Sequence, residues 1–566
     1  MVFAIADNII SPLGETTRDN YRAVEAGLSA IRNYSHCRGL HEGELSASLF
    51  SDSMRQRFMR NGYSNYELLA AASASKAIAD CGLDATRSDV ALILSTTKGS
   101  IAALDGTEPE APRTGLGESA VAVAHLLGVS TEPITVSNAC ISGVSALILG
   151  MRLIESGYCN YAIVCGAEVM SPFILSGFLS LHAVSKTECR PFDIDRNGLN
   201  PGEAAATIIL GKAATTSATH WKLLRGAIRN DAYHISAPSR QGEGAFRALT
   251  SVLSKDAKHK MAFVSVHGTA TLFNDQMESV AINRAGLSDV PASGLKGIYG
   301  HTMGAAGVLE TALSMAALDE GIVIGTRGFR ESGVSGHINI SASDRRTDRP
   351  AFLKMLSGFG GGNAALLVSR EGTSDPVGRL QTHITHSIKI NPDSVEVDGK
   401  LLNYDSTGSE LITTIFHREV ADYPRFFRMD PLARLGFVAS ELLLKAEGGV
   451  RFRQRDDRAV VLFNAHSSAH ADKAYLQSLC PTDYYPSPSL FVYTLPNIVC
   501  GEIAIRNNWH GETCFYVLPA HNERLMDDIA KATFCDPATQ SILTGWLEYD
   551  SDESFVAELH ITEKIS

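Results

Sequence analysis

Short apolar runs alternate along this chain with longer stretches in which apolar residues recur at helical spacing. Runs at 89–95 (DVALILS), 134–137, 161–165 and 205–210 are bounded by Gly, Ser or Lys and predict strands, whereas 66–81 and 141–155 predict helices. Strands of continuous apolar character belong in sheets covered by helices on both faces. The alternation resumes after Trp221, at 261–266, 305–318 and 364–368. The pattern therefore predicts a layered α/β protein. A polar stretch with Gly and Pro, EGTSDPVGRL at 371–380, marks a boundary. Beyond it the order of the first 170 residues returns. A helical pattern at 430–445 matches 66–81, and strands at 458–463, 511–517 and 542–547 match those at 89–95, before Cys140 and at 162–168.

Length sharpens this division, because 566 residues exceed one ordinary core. The 45% hydrophobic and 20% charged content is that of a globular, water-soluble chain. A net charge of −12 argues against broad nucleic-acid binding, which needs a basic face to neutralise phosphates. The ten cysteines form no CxxC pair, and Cys159 and Cys165 fit neither a zinc site nor a disulfide framework, so no metal is expected. Reduced thiols point to a cytoplasmic protein. The start, MVFAIADNII, has no basic region and meets Asp7 at once, unlike a signal peptide. The apolar run at 144–154 carries Arg152 and falls short of a ~20-residue membrane span.

Three residues stand out chemically. In VSNACISGVSAL a strand runs through small residues into an apolar helix, which puts Cys140 at a helix start, where free N–H groups favour a thiolate. A lone cysteine in that setting is more often structural. His267, in HGT, emerges at the end of the 261–266 strand, where α/β sheets place their sites. His301 lies in KGIYGHTMGAAG, a small-residue segment opening a helix that continues through Glu310. No GxGxxG opens a helix after a strand, and GxxxxGK[ST], HExxH and GxSxG are absent, so nucleotide, zinc-protease and serine-hydrolase chemistry lack support.

Four segments, in order, resemble the β-ketoacyl synthases, the thiolase-fold condensing enzymes of fatty-acid and polyketide synthesis. They are VSNACISG around Cys140, CRPFDIDRNGLNPGEAA at 189–205, HGTATLFNDQME at 267–278 with KGIYGHTMGAAG at 296–307, and SGFGGGNAAL at 357–366. The likeness begins with ISPLG at 10–14 and covers roughly residues 1–370. It implies a thiolase-like αβαβα fold of two similar halves, 1–212 and 213–372. Residues 380–566 resemble a further N-terminal half, with Leu518-Pro519-Ala520-His521 where Cys140 would stand and no HGT or GHTxGAAG segment after it. A half-fold of that kind would by itself expose an apolar face, so it is expected to be catalytically dead and to pack on the first section, or to dock a carrier protein or a second synthase.

The resemblance implies roles. Cys140 would accept an acyl group from a carrier-protein thioester. His267 and His301 would bond the malonyl thioester oxygen during loss of CO2 and condensation. Lys296 and Glu310 would be the buried pair behind the second histidine. Phe359 would be the gate, its N–H joining that of Cys140 as an oxyanion hole, and the family more often has Thr where Gly362 stands. Thr269 and Thr271 would bind the phosphopantetheine arm, Asp275 and Glu278 would brace the loop, and no other cofactor is implied. Arg190, Arg196, Arg55, Arg57 and Arg60 are candidates for docking an acidic acyl carrier protein, with a solvated face as the plainer reading. Family members pair through central strands, so a homodimer or a heterodimer through the 134–137 edge is expected. The alternatives are a non-catalytic partner subunit of the chain-length-factor type and a thiolase acting on coenzyme A esters.

Overall fold

The computed structural model describes residues 1–36, 42–58, 60–108, 110–212, 221–254, 257–374, 378, 380–479 and 485–565. The expected boundary at 212/213 and part of the 371–380 linker lie outside the described residues.

Three sheets repeat one strand order. In the first, Val2–Ile10 pairs antiparallel with Ala204–Gly211, which pairs antiparallel with Tyr161–Glu168; Val90–Ser95 and Ile134–Val136 follow in parallel. In the second, Trp221–Asn230, Gly362–Ser369, Ala351–Ser357, Met261–Ser265 and Pro291–Ser293 take the same places with the same senses. The third has Thr382–Asn391, Ser554–Lys564, Ser541–Ser551, Arg458–Asn464 and Thr513–Val517. The fold is a thiolase-like pair of halves with a third half-fold added. One difference is local. The first sheet inserts residues 169–203, with the helix Pro172–Ser180, before its last strand, whereas the third turns directly from Ser541–Ser551 into Ser554–Lys564.

The helices follow from their patterns. Asn65–Cys81 starts with a capping box between Ser64 and Glu67, ends on left-handed Gly82, and packs on the outer face of the first sheet. Ser142–Glu155 and Ala306–Asp319 are buried almost throughout, because they lie between the first and second sheets. They cross at two glycines. A Cβ on Gly143 would lie 2.8 Å from the Gly307 Cα, and one on Gly307 would strike the Val144 backbone. That close approach brings together the segments preceding both helices, which contain Cys140 and His301.

One expectation is corrected. The Ile134–Val136 edge is not left for a second copy: Thr513–Val517 of the same chain pairs with it antiparallel, Tyr516 opposite Val136 and Val517 opposite Thr135. The third half packs on the first section, which covers its inner face. Glu523–Thr533, capped by Asn522, lays Leu525, Met526 and Ile529 over it, and these join one core with Val461, Phe463, Trp546 and Leu147. A buried ionic cluster crosses the same seam. Arg152 donates to Glu512 at 2.8 and 3.0 Å, while Asp536 accepts from Arg229 at 2.6 Å and lies 3.7 Å from Arg152. Among the described residues no helix is long and apolar enough to cross a membrane.

Candidate active site

Cys140 sits in a single tight turn, Ala139–Ile141, between the Ile134–Val136 strand and its helix. Ala139 takes φ 48°, a left-handed conformation costly for a residue with a Cβ. Its neighbours hold it there. Ser142 Oγ accepts from the Asn138 N–H at 2.8 Å and donates to the Ala139 carbonyl at 2.7 Å. From the third half, the Phe515 N–H donates to Asn138 Oδ1 at 2.7 Å, and the Phe515 carbonyl accepts from the Ser137 N–H at 3.2 Å.

The thiol faces both histidines. His301 Nε2 lies 3.0 Å from Cys140 Sγ, and the His267 ring stands 5.2 Å from that of His301 at 82°. The Met303 N–H donates to His301 Nδ1 at 3.4 Å, so the His301 proton is on Nε2, aimed at sulfur. His267 Nδ1 is buried without a hydrogen-bond partner among the described residues. Glu278 fixes the loop beneath it, accepting from the His267 and Gly268 N–H groups at 2.6 and 2.7 Å. Asp275 accepts from Phe192 and Ala270. The thiol and the two rings each place a ligand atom within 4.8 Å of the others, a donor set suited to a soft divalent cation. Nearby lysine charges oppose cation binding.

Those charges come from a buried triad. Glu310 accepts from Lys296 at 2.7 Å and, on its other oxygen, from Lys354. Burial and then the lysine charges hold both histidines well below the usual imidazole range, so both are neutral donors at pH 7. Burial also pushes the Cys140 thiol up to about 12, with Lys296 pulling the other way. Burial thus opposes the thiolate that the helix start is expected to favour. Lys354, brought down by burial to about 8, was not foreseen; its one sign was a charge inside the apolar run AFLKMLS. Glu168 was missed too. It accepts from Thr96 Oγ1 and the Gly304 N–H at 2.8 Å each, tying the segment after His301 to the first sheet.

A cavity of about 510 Å³ leads to Cys140 and both histidines. Thr269 and Thr271, with hydroxyls 2.9 Å apart, line it, and Leu272 and the strongly exposed Phe273 stand at its mouth. Phe359 forms one wall. Behind it lies a pocket of only about 20 Å³, bounded by Cys140, Ile174, Phe178 and Met303, and by Phe491 and Leu495 of the third half. The loop carrying Phe359 passes so close that a Cβ on Gly358 would lie 3.2 Å from the Cys140 nitrogen. A Cβ on Gly362 would meet Ile141 Cδ1 at 2.9 Å, so isoleucine fills the space a threonine would need. A larger groove, about 810 Å³, lies along Glu155–Tyr158 and Glu523–Thr533, away from these residues.

Residues 4–216 match the family model for the β-ketoacyl synthase N-terminal domain, and residues 222–330 match the model for its C-terminal domain. The chain belongs to the β-ketoacyl synthase family. It is 27% identical over 405 residues to the tetracenomycin polyketide synthase ketoacyl synthase alpha subunit of Streptomyces glaucescens, covering 64% of this chain and 95% of the relative. It is 25% identical over 401 residues to 3-oxoacyl-[acyl-carrier-protein] synthase 2 of Vibrio harveyi, covering 64% and 96%. The ishigamide ketosynthase/chain length factor structure superposes with TM-score 0.59 at 25% identity, over 66% of this chain and 99% of that one. The PfaC keto synthase-chain length factor superposes over 100% of this chain and 78% of its own, with TM-score 0.75 at 12% identity, a likeness of fold alone.

The five arginines singled out in the sequence divide. Arg55 is bound to buried Glu203, which also accepts from the Phe50 and Met170 N–H groups, so Arg55 is architectural. Arg196 is buried and bonds the carbonyls of Asp193 and Gly333 at 2.9 and 2.7 Å while lining the cavity. Arg190 lies 3.7 Å from Asp195, Arg57 pairs with Glu15 at 2.5 Å, and Arg60 covers the Tyr63 ring. His521 stands edge-on to Trp546, 3.7 Å from Glu558, apart from the cysteine and histidines.

Proposed function

We propose that this chain is a condensing acyltransferase, a 3-oxoacyl-[acyl carrier protein] synthase acting in fatty-acid or polyketide synthesis. In the first step Cys140 Sγ attacks the carbonyl of an acyl thioester on a carrier's phosphopantetheine. The new S–C bond replaces the old one, and the thiol proton leaves with the pantetheine sulfur. A malonyl thioester then enters along the larger cavity, with Thr269 and Thr271 along its arm. Its C–CO2 bond breaks, and His267 and His301 donate to the oxygen on which enolate charge develops; one such donor contributes about 3–4 kcal/mol. The carbanion attacks the acyl carbonyl, Cys140 leaves as thiolate and takes up a proton, and the 3-oxoacyl product departs on the carrier.

The observation that carries this reading is the 3.0 Å contact from His301 Nε2 to Cys140 Sγ, with neutral His267 beside it. It favours an enzyme over a partner subunit of the chain-length-factor type, and two histidines without a second cysteine weigh against a thiolase. Residues 380–566 are read as a dead synthase half. Support comes from the repeated strand order, from Pro519–His521 where a nucleophile would stand, and from its seat on the Ile134–Val136 edge. Acyl carrier protein is the expected partner, the one in the name of the Vibrio harveyi relative. Intact-mass spectrometry after incubation with acyl-carrier protein tests the reading: acylation should map to Cys140, and Cys140→Ala should abolish both loading and condensation. Acyl groups mapped to another residue would overturn it.

A further inference from the structure

Phe359 separates the channel from the small pocket, and its loop is built to move. Gly360 and Gly361 both take positive φ, 87° and 75°. Yet the loop is held from several sides. The Gly360 N–H donates to the Ile235 carbonyl at 2.6 Å, and the Gly360 carbonyl accepts from Asn230 Nδ2 at 2.8 Å. The Phe359 carbonyl has a different holder. It accepts from Asn497 Nδ2, at 2.8 Å, and Asn497 belongs to the third half.

The segment bearing Asn497 is itself anchored beside the thiol. Buried Lys98, which lines the small pocket, donates to Asp472 Oδ1 at 2.5 Å, Ser468 Oγ at 3.2 Å and the Thr494 carbonyl. Its three protons thereby fix the stretch between Phe491 and Asn497. One turn further on, a Cβ at Gly501 would lie 2.5 Å from the Gly360 carbonyl, so glycine there lets the gate loop rest on the third half's backbone. Asn497 is nearly fully buried, and its Oδ1 has no partner among the described residues. The side chain makes one bond where burial would favour two, and that one bond is to the gate.

We propose that Asn497 is a positioning residue for the gate: its amide holds the Phe359 peptide where the ring closes the small pocket beside Cys140. The proposal rests on the synthase reading above and gives the catalytically dead half a task in the reaction. Asn497→Asp keeps the shape but turns an acceptor toward the Phe359 carbonyl, whereas Asn497→Ala removes the bond alone. In Asn497→Ala, condensation kcat should fall about fivefold, the worth of one net hydrogen bond, and further in Asn497→Asp. KM for malonyl-carrier protein should move less than about twofold, because the Thr269 and Thr271 side of the channel, away from the gate, keeps its contacts.

The second readout needs no acyl chemistry. Alkylation of Cys140 by the bulky N-benzylmaleimide should quicken at least about threefold in both variants, relative to iodoacetamide, as the freed gate uncovers the thiol. A wild-type ratio of the two alkylation rates in Asn497→Asp would overturn the proposal. So would a kcat loss matched by an equal slowing of both alkylations, the mark of a merely distorted site. Because alkylation of the free thiol reports the gate whether or not Cys140 serves as an acyl acceptor, failure of the latch and failure of the synthase reading give different results.

Discussion

The small pocket beside Cys140 turns directly into a substrate prediction. At about 20 Å³ it has room for roughly one water-sized group, so the acyl chain held on Cys140 in this conformation should be close to acetyl in size. Phe491 is the wall to remove. Its ring is buried, stands 5.6 Å from Phe178 and 5.4 Å from Tyr475, and lies over Gly177, where any Cβ would collide with it. Phe491→Ala deletes the phenyl ring and opens space for several carbons. Each buried methylene contributes about 0.8 kcal/mol, so the four extra carbons of hexanoyl over acetyl gain about 3 kcal/mol, or about two hundredfold in relative kcat/KM. The variant should also lose about 3–5 kcal/mol of stability, as buried Phe-to-Ala changes do. Cys140 loading from a series of acyl thioesters, followed by intact mass, gives the length profile, and thermal unfolding confirms that the variant is folded. A folded variant with the wild-type profile would refute the reasoning, as would a wild type that loads octanoyl as fast as acetyl.

Two further outcomes follow from the buried charges. Lys354→Met removes one of the cations that, after burial, keep His267 and His301 below the usual imidazole range. Their pKa values should rise, and since the neutral rings are the donors, the acid limb of the malonyl decarboxylation pH profile should move to higher pH; no shift or a downward one would count against the neutral-donor assignment. Glu512→Gln leaves buried Arg152 with only Asp536 at 3.7 Å, so unfolding should cost about 3–5 kcal/mol less, whereas a loss under about 1 kcal/mol by thermal or denaturant melts would show the seam is held by its apolar contacts alone.

Much of the site was legible because its parts are local. Cys140, His267 and His301 each sit where an element ends or begins among small residues; Lys296 stands in the His301 motif, Glu310 three residues beyond it and Phe359 in the glycine-rich segment at 357–366. The third half was legible for a related reason: the alternation of apolar strands and helices survives even where the catalytic residues are gone. Such patterns arise from backbone geometry and side-chain period within a few residues.

What the sequence by itself determined, then, was the repeated half-fold, the motifs and the missing nucleophile at Pro519–His521. The tertiary structure alone decided which edge meets which. Pairing of Thr513–Val517 with Ile134–Val136 joins residues nearly four hundred positions apart, and no local period encodes it. From that one junction follow the Phe515 bonds to the cysteine loop, the Phe491 wall and the Asn497 hold on the gate. The thiol's surroundings were decided there too. A helix start is visible in the chain, but desolvation is summed over everything packed around the sulfur, including atoms from distant segments, and it pushes the thiol up.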